Sequence, residues 1–135
     1  MTVAEVNVVA QAFHDAVAAR DAFREIVGRG GAPIKARIMD QSVISGVGNL
    51  LADEALWRAR LSPLRPASEL DDDELDRLRR EVRAATRSAI RRGGAHTGDV
   101  IAARRRGALC PRCGAEMQRA TVGGRTTFWC PAEQR

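Results

Sequence analysis

The chain of 135 residues has no tyrosine and only five aromatic side chains, three Phe and two Trp. Proteins that grip single-stranded nucleic acid rely on stacking bases against aromatic rings, so that mode is not expected to dominate here. No stretch of 18 consecutive apolar residues occurs, which excludes a membrane-spanning helix and predicts no membrane partner. The first residues, Met1-Thr2-Val3-Ala4-Glu5, have neither the basic nor the apolar region of a secretory signal. The expectation is therefore a cytoplasmic protein. Cysteine is absent from the first 109 residues, and no internal repeat is present. What remains is 44% apolar and 29% charged, the profile of a soluble globular chain long enough for one domain or two small ones.

Charge is unevenly spread. Residues 1–76 carry 8 Lys and Arg against 13 acids, whereas residues 77–135 carry 14 Arg against 4 acids. The overall net charge of +5 thus conceals a strongly basic C-terminal half. Such a half usually meets a polyanion, because phosphate binding releases condensed counterions.

The apolar pattern is mainly helical. Val6, Val9, Ala10, Phe13, Val17, Phe23, Ile26 and Val27 recur at helical spacing over residues 4–27, and Gly28-Arg29-Gly30-Gly31 ends the run. Pro33 suits the first turn of a second helix, 33–40, which places Ile34 and Ile38 on one face. Ser42 to Asn49 reads as a tight turn in which Gly46 and Gly48 permit close backbone approach and Asn49 can cap the next helix. That helix, 50–59, is expected to bury Leu50, Leu51, Ala55 and Leu56, with Trp57 flanking. Pro63 and Pro66 make 60–70 a rigid connection. Asp71 with Glu74 forms a capping-box pattern that opens a long helix to about Arg92. Leu75, Leu78, Val82 and Ala85 line its core face, while Arg77, Arg80, Arg83, Arg87 and Arg91 line the other. Residues 95–109 read as an irregular basic linker.

The three cysteines form Cys110-Pro-Arg-Cys113 and, after sixteen residues, Cys130. In a cytosolic chain this spacing predicts a zinc ribbon in place of a disulfide framework. Gly123-Gly124, between the segments 116–122 and 125–130, is a two-residue hairpin signal. The second knuckle departs from the pattern, because Glu133 stands where a fourth Cys is expected. Glu133, His96 or water is left as the fourth ligand beside Cys110, Cys113 and Cys130.

Two stretches carry a family resemblance. The segment from Ile34-Lys35 through Met39-Asp40-Gln41-Ser42-Val43-Ile44-Ser45-Gly46-Val47-Gly48-Asn49 to Leu56 resembles the helix–two-turn–helix of the formamidopyrimidine-DNA glycosylase and endonuclease VIII family. The tail from Cys110 to Pro131 resembles the zinc finger of the same family. The resemblance implies a mainly α fold: a helix–two-turn–helix domain at 1–94, a linker at 95–109 and a zinc-ribbon β-hairpin at 110–135. It also implies a role in base-excision repair, with double-stranded, damaged DNA as partner. Lys35, Asn49 and the backbone around Gly46 and Gly48 would meet phosphates near the lesion, and Arg125 would reach those flanking an extruded nucleotide. Taken alone, Asn49 also fits an ordinary helix cap, and Arg125 a solvated turn residue.

Family enzymes use an N-terminal Pro-Glu pair and a loop Lys from a strand-rich domain, none of which these residues provide. The leading expectation is therefore a nucleoid-associated DNA-binding protein, inactive as a glycosylase or lyase by itself. The alternatives are the C-terminal half of a split or mis-started glycosylase, completed by an N-terminal domain in trans, and an RNA- or protein-binding module.

Overall fold

The computed structural model describes residues 2–4 and 16–135. The described elements run α1 (Ala16–Val27), α2 (Ile34–Met39), α3 (Asn49–Ala59), α4 (Asp72–Arg92), β1 (Gln118–Val122) and β2 (Arg125–Trp129). Short 3-10 turns occur at Ala67–Glu69, Ala95–Thr97 and Ile101–Ala103. The fold is mainly helical and ends in a two-stranded antiparallel hairpin, as expected. Most of the first part of the expected leading helix, residues 5–15, lies outside the described residues, and with it Phe13 of the expected core.

Helix α4 shows how local sequence sets an element. The Asp71 carboxylate accepts from the Glu74 N–H at 2.8 Å, and Glu74 accepts from the Asp71 N–H at 3.1 Å, completing the capping box. Asp72, Asp73 and Glu74 occupy its positive first turn and Arg91 and Arg92 its negative last turn. Gly93 then ends it in the left-handed region at φ 95°, which only glycine enters without strain. Leu75, Leu78, Val82 and Ala85 are buried along one face, against Phe23 and Val27 of α1, Ile34 and Ile38 of α2, and Leu51 and Leu56 of α3. Val43 is partly buried against this core, and Leu50 is half-buried, not buried as expected. The 60–70 connection folds back onto the start of α2, where Ile34 N–H donates to Arg65 O at 2.7 Å and Ala67 N–H to Ala32 O at 2.9 Å.

A second apolar cluster joins the hairpin to the helices. It contains Trp57 of α3, Val100 and Ala103, and Cys110, Met117, Phe128 and Cys130 of the finger. Two expectations are corrected by it. Trp57 is buried at the centre of this junction and does not merely flank the first core. Residues 95–109 are not an irregular linker, because two 3-10 turns carry Val100 into the cluster and Glu54 accepts the Val100 N–H at 2.9 Å. The physical reason is composition: Val100, Ile101 and Ala103 supply an apolar face that charge counting overlooks. Among the described residues no helix is long and apolar enough to cross a membrane.

Candidate nucleic-acid interface and metal centre

The two motifs singled out by sequence meet at one carbonyl. Across the hairpin, Val122 faces Arg125, and Gly123 and Gly124 turn the chain at φ 59° and 75°. Both angles are positive, as the two-residue turn favoured by strand twist requires. The Thr126 carbonyl, next to Arg125, accepts from Asn49 Nδ2 at 3.1 Å, from Arg104 Nη2 at 2.9 Å and from Lys35 Nζ at 3.3 Å. The two-turn segment and the hairpin tip are therefore tied together through the backbone beside Arg125.

Beneath that carbonyl lies a buried charge network. Lys35 is wholly buried, with its ammonium 2.7 Å from Asp53 Oδ1 and 2.6 Å from the Thr127 hydroxyl, which it donates to. Asp53 Oδ2 also accepts from Arg104 Nε at 2.8 Å and from the Phe128 N–H at 3.2 Å. Arg104 lies over the Phe128 ring, 5.4 Å from its centroid. Burial pulls the Lys35 ammonium below its ordinary value, and Asp53 opposes this. This placement corrects the expected role of Lys35. Its ammonium holds the hairpin from inside and is not offered to solvent.

The other expected residues lie at or near the surface. Arg125 is exposed at the hairpin tip, and Gly46 and Gly48 are exposed with open space where a side chain would stand. Gly46, at φ 89°, adopts a conformation other residues reach only with strain, and its N–H donates to Gln41. Asn49 does not cap α3. Gly48 holds the cap position, and Asn49, as the first helical residue, spends its amide on the hairpin. The first-turn N–H groups of α3 have no intrahelical acceptors, as at any helix start. On α4, Arg80, Arg87 and Arg91 are exposed, with no ion pair among the described residues. Arg77 is removed from that stripe because it donates to the Ala59 carbonyl at 2.7 Å.

Cys110, Cys113 and Cys130 place their sulfurs within 4.8 Å of one another, so the three could hold a metal ion. Cys110 Sγ accepts from the Trp57 indole N–H at 3.3 Å. Burial disfavours the Cys110 thiolate, but that indole and the Arg112 and Cys113 N–H groups outweigh it and bring the thiol down to about 7. Burial and the adjacent Cys113 thiol push Cys130 up to about 11. Three clustered soft donors, one poised to ionise near neutrality, fit a thiophilic ion. Neither His96 nor Glu133 belongs to the cluster. The expectation of Glu133 as a ligand is corrected by its ion pairs with Arg112 and with Arg60, the latter at 3.7 Å.

Sequence reasoning missed Asp53, Glu54 and Arg104. A usable signal was present, since two adjacent carboxylates interrupt the apolar run Leu50-Leu51-Ala52-Asp53-Glu54-Ala55-Leu56 at positions that helical periodicity buries.

A helical domain built on a two-turn connection and closed by a cysteine-bearing hairpin defines the class: a helix–two-turn–helix module with a candidate metal-binding finger. Residues 10–100 match the formamidopyrimidine-DNA glycosylase H2TH domain model. The formamidopyrimidine-DNA glycosylase of Roseiflexus sp. is 45% identical over 116 residues, covering 76% of this chain and 42% of that protein. Its Thermus thermophilus counterpart is 40% identical over 118 residues, covering 76% and 44%. Among solved structures, the Thermus thermophilus protein aligns with TM-score 0.75 and 37% identity over 85% of this chain and 49% of its own. The Lactococcus lactis protein complexed with DNA containing an abasic site aligns with TM-score 0.75 and 30% identity over 86% and 47%. The chain belongs to the formamidopyrimidine-DNA glycosylase family and matches its C-terminal half. It spans less than half the length of the curated relatives it matches.

Proposed function

We propose that this chain is a damage-directed duplex DNA-binding module that grips the phosphate backbone between the start of α3 and the hairpin tip. The observation that carries this reading is the convergence of Asn49, Lys35 and Arg104 on the Thr126 carbonyl, one residue from exposed Arg125. A kinked or abasic duplex needs its backbone pinned on both sides of the distortion. The N–H groups around Gly48 and the start of α3 offer one anion site, and the Arg125 guanidinium offers the other. Lys35, Asp53 and Arg104 keep the two at a set separation. Zn2+ is the ion proposed for Cys110, Cys113 and Cys130, where it would link the two knuckles and hold the hairpin that carries Arg125. Binding of chromosomal duplex would place the protein at the nucleoid.

Fluorescence anisotropy on matched duplexes, one with an abasic analogue, tests the reading. Tighter binding to the abasic duplex that is lost in Arg125→Ala is expected. Equal binding to damaged and intact duplex would refute the damage preference, and equal affinity for duplex RNA would favour an RNA-binding role.

The shared length favours a second reading, in which the chain is the DNA-gripping half of a glycosylase completed by a separate N-terminal domain. Strand cleavage at an abasic site by the chain alone, and with the N-terminal half of the Thermus thermophilus relative added, distinguishes the two. On the leading reading neither the chain alone nor the combination cleaves, whereas on the second only the combination does.

A further inference from the structure

We propose that the finger binds its metal through three thiolates alone and keeps the fourth coordination position open to a small-molecule thiolate, with water there otherwise. Glu133 follows Cys130 at the spacing of a closing ligand, yet its carboxylate is engaged elsewhere. It pairs with Arg112 Nε, and Arg60 Nη1 lies 3.7 Å away. Arg112 is not free to release it. Its guanidinium lies 4.1 Å from the centroid of the Trp57 ring, and Nη2 donates to the Trp57 carbonyl at 2.8 Å. Moving the Glu133 carboxylate onto a metal would strand a largely buried guanidinium, an unfavourable exchange.

The work of the missing ligand is done by other groups. Arg112 belongs to the first knuckle and Glu133 to the second, so their ion pair joins the two ends that a fourth thiolate would join. Gln134 completes the closure: its Oε1 accepts from the Cys130 N–H at 2.7 Å, and its Nε2 donates to the Leu61 carbonyl at 3.0 Å. The three sulfurs stay gathered without a carboxylate, and Cys113 is exposed, which leaves the cluster accessible from its side. Closed structural zinc sites use four protein ligands, and three protein ligands belong to sites that exchange the fourth.

The inference rests on the metal reading above. The test uses the full chain loaded with Co2+, followed by its thiolate-to-cobalt absorption and its metal affinity. Added 2-mercaptoethanol is expected to raise that absorption by about one third, as three thiolate ligands become four. Glu133→Gln should reproduce the wild-type spectrum, because the carboxylate is not a ligand, while the lost Arg112 pair lowers metal affinity by up to about 10–100-fold, as removal of an outer partner does. Glu133→Cys should show the stronger absorption without added thiol and no longer respond to it. A Glu133→Gln chain with a shifted spectrum would overturn the proposal. So would a wild-type spectrum indifferent to added thiol. Failure of the wild type to bind Co2+ at all would overturn the metal reading as well, whereas thiol-insensitive binding would overturn only this inference.

Discussion

Replacing Asp53 by alanine removes the carboxylate that neutralises wholly buried Lys35 at 2.7 Å. It also strips the Phe128 N–H of its acceptor. Breaking a buried pair from one side costs about 3–5 kcal/mol, chiefly through the stranded charge. The orphaned N–H adds about 1 kcal/mol more. Arg104 contributes less to the loss, since 13% of its side chain is exposed and it retains the Thr126 carbonyl. Against a typical total of about 5–15 kcal/mol, this is a large fraction of the stability. In urea the midpoint should fall by roughly 2 M, given a slope of about 1–3 kcal/mol/M. Trp57 of the helix–finger cluster and the buried Trp129 of β2 report the transition by fluorescence. In Lys35→Met/Asp53→Ala the stranded charge is gone, so the double variant should lose at least about 2 kcal/mol less than the two single losses added together. Losses that add to within about 0.5 kcal/mol would refute the assignment of a coupled buried pair.

Other outcomes follow from the same geometry. Arg125→Ala should weaken duplex binding and lower the salt slope by about 1, the signature of one lost phosphate contact in an anisotropy titration. Hydrogen bonds from Arg65 and Arg24 hold Glu74 and Asp76 below their ordinary values of 4.5 and 3.8. Their contribution is therefore present above pH 4.5 and lost as pH falls through the depressed folded values. Urea midpoints measured from about pH 7 to about pH 2 should fall in that acid window, and less steeply in Asp76→Asn. Leu78→Ala, at a fully buried site in α4, should cost about 2–5 kcal/mol in the same unfolding assay. Gly46→Val should destabilise the two-turn segment, because a branched side chain resists φ 89° even though space for it exists.

Local rules were sufficient wherever neighbours in sequence decide the structure. The capping box at Asp71 and Glu74, the apolar stripe of α4, the Gly123-Gly124 turn and the Cys110–Cys113 knuckle are legible because each is set within a few residues. The order of the two-turn segment and the finger also carried the family. Tertiary structure decided what those residues do. Lys35 reads as a surface cation until Asp53, Thr127 and Arg104, brought from three other segments, enclose it. Asn49 reads as a helix cap until the Thr126 carbonyl arrives 77 positions along the chain. Glu133 reads as a metal ligand until Arg112, 21 positions earlier, takes its carboxylate. Charge pairing inside a low-dielectric junction depends on which groups meet, and one-dimensional spacing does not record a meeting between distant segments.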